Sequence, residues 1–212
     1  MITGDNEVSK MMSRKPYDIC NKAIIAINVL VFVVLEFMGD TESAGFMYEH
    51  GAMYPDSVLA DGEWYRLVTC MFIHFGVHHI GNNMLILFFL GDNLERALGH
   101  VKYVILYLLS GLCGSALSLI FMVRSQDYAV SGGASGAIFG VIGALIYILI
   151  RNKGHLEDLT ANRLILMAVL SLYHGFTATG VDNLAHVGGL AGGIVLAMLL
   201  YRKKPRYTQE GR

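Results

Sequence analysis

Six apolar runs set the limits on what this chain can fold into: about Ala23–Met38, His79–Leu94, Val101–Val123, Ser135–Ile150, Leu164–Gly175 and Leu184–Tyr201. Each covers most or all of a hydrocarbon layer ~30 Å thick. Inside such a layer every backbone N–H and C=O needs an internal partner, which leaves helices or a closed barrel. Runs of this length read as helices. Only 16% of residues are charged, against about a quarter in soluble domains. The expectation is an all-α, polytopic membrane protein with six transmembrane helices. Several runs fall short of the ~20 residues of a full span. Those helices are expected to start below the membrane surface, where irregular backbone must be buried in protein or line a wet cavity.

Lys and Arg give the expected orientation. Of 16 basic residues, all but Arg66 and Arg124 fall in the N-terminal stretch, the C-terminal stretch or the loops after the second and fourth runs. By the positive-inside rule both termini are cytoplasmic. Residues 1–22 read as a cytoplasmic tail rather than a signal peptide, 23–202 as the membrane domain and 203–212 as a second cytoplasmic tail. The long loop from Gly39 to Val77 is then external. It carries Phe46, Met47, Tyr54, Leu59, Trp64 and Tyr65 among its acids, so it is expected to fold back on the membrane surface. Cys20, Cys70 and Cys113 form no CxxC pair and no even framework, which argues against disulfides and a zinc ribbon.

Polar groups inside a bilayer read as functional by default. Ser135, in Gly133-Ala134-Ser135-Gly136, opens the fourth run, and on its own that stretch is a small-residue packing motif. Depth changes the reading. Ser135 lies 16 residues before Arg151, and His186 lies 16 before Arg202. At ~1.5 Å per residue both stand roughly 24 Å above the inner boundary. His79 and Asn83, 17 and 13 residues from Arg96, stand at roughly 25 and 20 Å. Four polar groups on three helices therefore share one layer. Gly136, Gly140 and Gly143, facing Gly188, Gly189, Gly192 and Gly193, let backbones approach closely enough for a hydroxyl to reach an imidazole. His186 is the candidate base for Ser135. His79 and Asn83, on one helix face, are candidate donors to an oxyanion.

Other polar residues receive blander readings. His74, His78 and His79 make a histidine cluster, but no HExxH and no carboxylate or thiol at matching depth completes a metal site, so no metal or other cofactor is expected. Glu36 and Glu95 are expected to pair or snorkel. Asp182, four residues before His186, is read as an exposed carboxylate at the loop edge and left out of the site.

Together these residues resemble the rhomboid family of intramembrane serine proteases. Gly133-Ala134-Ser135-Gly136 is similar to its GxSG, and Ala185-His186-Val187-Gly188-Gly189-Leu190-Ala191-Gly192-Gly193 to its AHxxGxxxG. His79 to Asn83 fits HxxxN, and Glu63-Trp64-Tyr65-Arg66 resembles the outer-loop Trp–Arg signature. Gly91 to Gly99 resembles GxxxExxxG. The resemblance implies the minimal six-helix bacterial form, in the cell membrane, with a Ser135–His186 dyad. Its oxyanion donors would be the Ser135 N–H, His79 and Asn83. Gly133, Gly136, Phe139, Gly188, Gly192 and Arg66 would support the site. Phe139 stands where some members stack a tyrosine on the histidine. The implied partners are transmembrane protein substrates and the lipid bilayer, with no nucleic acid. The implied site opens outward. A non-catalytic chaperone on the same fold is the alternative.

Overall fold

The computed structural model describes residues 19–152, 155–156, 159–177 and 180–202. Most of both expected tails, with all their basic residues except Lys22, lies outside them. All six apolar runs are helices: α1 Ile19–Met38, α5 Gly76–Leu98, α6 His100–Ser125, α7 Ser135–Arg151, α8 Ala161–Thr177 and α9 Asn183–Leu200. The intervening loop holds α2 Ala44–Glu49, α3 Pro55–Leu59, α4 Arg66–Thr69 and a 3₁₀ turn, Cys70–Phe72. Strands among the described residues are confined to a two-residue hairpin, His155–Leu156 with Leu159–Thr160. α1, α6 and α9 are each long and apolar enough to cross a membrane. The α4 segment and α5 pass jointly, bent by 90°, while α7 and α8 are shorter apolar helices. Leu30, Phe37, Phe89, Leu170 and Leu199 point outward from the bundle. Such exposure suits lipid rather than water. The chain is an all-α polytopic membrane protein.

α7 is buried along nearly its whole length, from Gly136 to Leu149. A helix apolar on all sides is stable only when enclosed by others, and α9 is its main neighbour. Adjacent glycines on α9 serve two partners because consecutive positions point ~100° apart. A Cβ at Gly189 would lie 1.9 Å from the Gly136 carbonyl oxygen, and one at Gly193 2.0 Å from that of Gly140. A Cβ at Gly188 would meet the Cys113 carbonyl on α6 at 2.7 Å, and one at Gly192 the Cys113 Cβ at 2.9 Å. α9 is therefore wedged between α6 and α7. The sequence pointed to close packing of α7 on α9. The part of α6 comes from Gly114, where a Cβ would stand 2.6 Å from the Ala185 carbonyl.

Gly189→Ala should therefore cost at least the ~1–3 kcal/mol typical of an overpacked core, read as a lower unfolding temperature in detergent. Gly81, with nothing within 4 Å of its would-be Cβ, is the control. Gly81→Ala should lower nothing.

At the opposite end, Glu95 does more than the expected pairing. It does not snorkel; it pairs with His100, while Glu36 accepts from the Thr41 hydroxyl. Its side chain is wholly buried and accepts from the Cys20 N–H at 3.0 Å and the Asn21 N–H at 2.8 Å, with His100 Nδ1 also on it. The first N–H groups of a helix have no intrahelical acceptor and carry the positive end of its dipole. A carboxylate from α5 fills that need at Cys20 and Asn21, which are already helical ahead of the expected Ala23.

Loop 39–75 is folded around Arg66. This side chain is buried and donates to the Tyr48 and Ala52 carbonyls at 2.6 and 2.8 Å and to Glu63 at 2.5 Å. Its guanidinium also stands 5.0 Å from the centre of the Tyr48 ring. The Arg66 hydrogen bond holds the Glu63 carboxyl below its usual range. That contribution is present above the ordinary carboxylate range and is lost as pH falls through the lowered value. Met47, Met53, Val58 and Met71 are buried beneath, whereas Trp64 and Tyr65 are exposed, as suits interfacial anchors. Arg66→Lys cannot reproduce two carbonyl contacts and a carboxylate contact from one planar fork. It should lower the unfolding temperature almost as far as Arg66→Ala, the loss tracking ~1–3 kcal/mol for each of the two carbonyls left unpaired.

Candidate active site

The approach to α7 is pinned residue by residue. Ser131 forms an antiparallel bridge with Met53, its N–H donating at 2.9 Å and its carbonyl accepting at 2.8 Å. The Gly133 N–H donates to the Cys70 carbonyl at 2.8 Å. The Ala134 N–H donates to His74 Nε2 at 3.3 Å. Gly133 has φ 137°, a conformation that side chains rarely adopt, and a Cβ there would sit 2.8 Å from His79 Nε2. Glycine is required twice over. The turn delivers Ser135 as the first residue of α7.

Ser135 Oγ lies 2.9 Å from His186 Nε2. His186 is 8% exposed, in the first turn of α9. Phe139, one turn beyond Ser135, stacks on the imidazole with centroids 4.4 Å apart and planes within 11°. The ring is held between an aromatic face and the hydroxyl. Its Nδ1 has no protein partner among the described residues. With the ring proton on Nδ1, Nε2 is free to accept from the serine.

His79 and Asn83 stand on the inner face of α5. The Phe75 N–H donates to His79 Nδ1 at 3.2 Å, which leaves the Nε2 proton, on the Gly133 side, available to donate. Asn83 is 5% exposed. Both side chains line the same cavity of about 1010 Å³ as Ser135, His186 and Phe139, with Met167, Leu170 and Ser171 of α8 on its far wall. Their neighbours His78 and Asn82 are exposed, although Asn82 reaches the cavity rim. The three neighbouring histidines do not converge as ligands. His74 turns Nε2 to the Ala134 N–H and its edge to His79, His79 turns Nδ1 to Phe75, and His78 faces out.

Two contributors were missed from the sequence. His74 is fully buried and supports the Ser135 turn; the only sequence signal was its place in a histidine cluster. Asp182 is not an exposed loop-edge carboxylate. It is half-buried, caps α9 by accepting the Ala185 N–H at 2.9 Å, and accepts the Ser118 and Ser131 hydroxyls at 2.5 and 2.6 Å. Its position ahead of Asn183 was legible as a helix cap; the two serines, distant in sequence, were not.

A bundle of apolar helices enclosing a serine in contact with a histidine, beside a large cavity, defines the class: a multi-pass helical membrane protein with a Ser–His pair in its interior. The Rhomboid domain family model matches residues 61–203, and the chain belongs to the rhomboid family. It is 36% identical to "Rhomboid protease GluP" of Bacillus subtilis over 176 residues, 83% of this chain and 34% of the relative. It is 40% identical to "RHOMBOID-like protein 5" of Arabidopsis thaliana over 152 residues, 71% of this chain and 48% of the relative. It is 31% identical to "Putative rhomboid protease YdcA" of Bacillus subtilis over 148 residues, 70% of this chain and 73% of the relative. The chain thus spans between a third and a half of the length of the first two.

Proposed function

We propose that this chain is an intramembrane serine endopeptidase that cuts membrane proteins in or beside a transmembrane segment. The observation that carries the reading is the 2.9 Å contact between Ser135 Oγ and His186 Nε2. His186 takes the hydroxyl proton as Oγ attacks the scissile carbonyl. Charge then develops on the carbonyl oxygen, within reach of the Ser135 N–H, His79 Nε2–H and the Asn83 amide. His186 returns the proton to the leaving amine, and water drawn through the cavity releases the acyl group. No metal or other cofactor takes part. Phe139 keeps the imidazole from swinging away from the hydroxyl, and Gly133 and Gly136 admit His79 and α9. Gly188 and Gly192 hold α9 against α6, and Arg66 braces the loop over the Ser135 turn.

The direct test is incubation of the protein in liposomes with a panel of single-span membrane proteins, together with fluorophosphonate labelling. Cleavage and labelling that both vanish in Ser135→Ala are expected. A wild-type protein that neither cleaves nor labels would favour a binding role on the same fold.

The proposed setting is the bacterial cell membrane, with the helical domain over residues 23–202, both tails cytoplasmic and the cavity facing outward. The basic residues support this: Arg96, Lys102, Arg151 and Arg202 lie at helix ends opposite Ser135. In a chain with Cys20 and Cys113 changed to serine, Asp61→Cys and Arg202→Cys should react with an impermeant maleimide from opposite sides of a sealed vesicle. Both positions are exposed. Labelling from the same side would overturn the orientation.

A further inference from the structure

Ser135 and His186 belong to different helices, and at the mouth of the cavity both helices have just begun. The backbone contacts of Gly189 on Gly136 and Gly193 on Gly140 fix α9 against α7 further down. Above them the chain leaves helix on both sides: residues 126–134 lead into α7, and residues 180–182 into α9. One side chain spans that gap. Asp182 Oδ2 accepts the Ser131 hydroxyl at 2.6 Å, and Oδ1 accepts the Ala185 N–H in the first turn of α9 at 2.9 Å. The register is symmetric: Ser131 precedes Ser135 by four residues, and Asp182 precedes His186 by four. The Ser118 hydroxyl, donating to Oδ2 at 2.5 Å, fastens the same carboxylate to α6. Ser131 is itself bridged to Met53, so the tie extends into loop 39–75.

The imidazole has little else to hold it. Its Nδ1 meets no protein acceptor among the described residues, and its fixed contacts are the Phe139 face and Ser135 itself. No hydrogen bond joins the Asp182 carboxylate to the ring, so the arrangement is not a Ser–His–Asp triad. The ring goes where the first turn of α9 puts it.

We propose that Asp182 is a positioning residue for the reaction: its carboxylate ties the loop presenting Ser135 to the helix carrying His186, and holds the two reacting side chains in register. This rests on the protease reading above. Misplacement of reacting groups by as little as 1 Å can lower turnover by about 10²-fold. Asp182→Ala should accordingly reduce both kcat and the rate of fluorophosphonate labelling at Ser135 by ~10–100-fold, with KM within about threefold. Asp182→Asn keeps an oxygen for the Ala185 N–H and an amide that can meet the serine hydroxyls, so it should recover most of the loss. Ser131→Ala should show part of the defect, and Ser131→Ala with Asp182→Ala should be no worse than Asp182→Ala alone, as for groups acting as one unit.

Unfolding temperature, recorded for each variant, separates folding from positioning, because the labelling rate is read on the folded fraction. Asp182→Ala with near-normal labelling and turnover overturns the proposal. So does a loss confined to KM, or an Asp182→Asn as impaired as Asp182→Ala, which would mean that charge and not the tie is at work. Wild-type protein that cleaves while Ser135→Ala does not establishes the protease reading independently. If that control fails, the fault lies in the protease reading and this proposal falls with it.

Discussion

Ser135→Ala and His186→Ala should each abolish cleavage, and the double variant should be no worse than either. When a nucleophile and its base act as one unit, losing either costs about as much as losing both, up to ~10⁶-fold in turnover. Here the unit is visible as a single hydrogen bond of 2.9 Å between two side chains that share no other polar protein partner among the described residues. Neither change should unfold the protein. Ser135 is at a helix start, and the glycine contacts that seat α9 lie on its backbone rather than on its histidine. The measurements are cleavage of a membrane substrate in liposomes and unfolding temperature. Full activity in Ser135→Ala would sink the serine mechanism, and additive losses would mean that His186 acts elsewhere than on Ser135.

The second large effect belongs to α5, where two His–Asn pairs sit one residue apart. His79→Ala or Asn83→Ala should each lower turnover by about 10²–10³-fold with KM little changed, since an oxyanion donor acts mainly in the transition state. The lower part of that range is expected because the Ser135 N–H remains. His78 and Asn82 have the same chemistry but exposed side chains. His78→Ala and Asn82→Ala should leave turnover within a few-fold and affect stability by no more than ~1 kcal/mol. Cleavage rates of the four single variants decide the matter. Sensitivity at His78 and Asn82 instead would mean that α5 presents the wrong face; insensitivity at all four would remove the oxyanion roles while leaving the dyad standing.

The six apolar helices and their order were legible in the sequence alone, and Ser135, His186, His79 and Asn83, expected in one layer, line one cavity. Each depends on distances along one chain: apolar length sets a span, and residue count from a basic end sets depth. The glycine spacing even announced that α7 and α9 would touch. What the sequence left open was always a question of which face meets which neighbour. Gly188 and Gly189 differ by one residue yet pack against different helices, α6 and α7. Glu95 looked like a charge at a helix end and is a buried cap for α1, because the acceptor for those N–H groups comes from a helix more than 70 residues away. Asp182 looked exposed and is held by serines from α6 and the Ser135 loop. His74 looked like a cluster member and is a prop for the Ala134 N–H. Buried polar groups must find partners wherever the fold brings them, and periodicity along a chain carries no record of that. Local pattern determined the apolar helices and the spacing of the polar groups along them; the crossing of helices decided which of those groups meet.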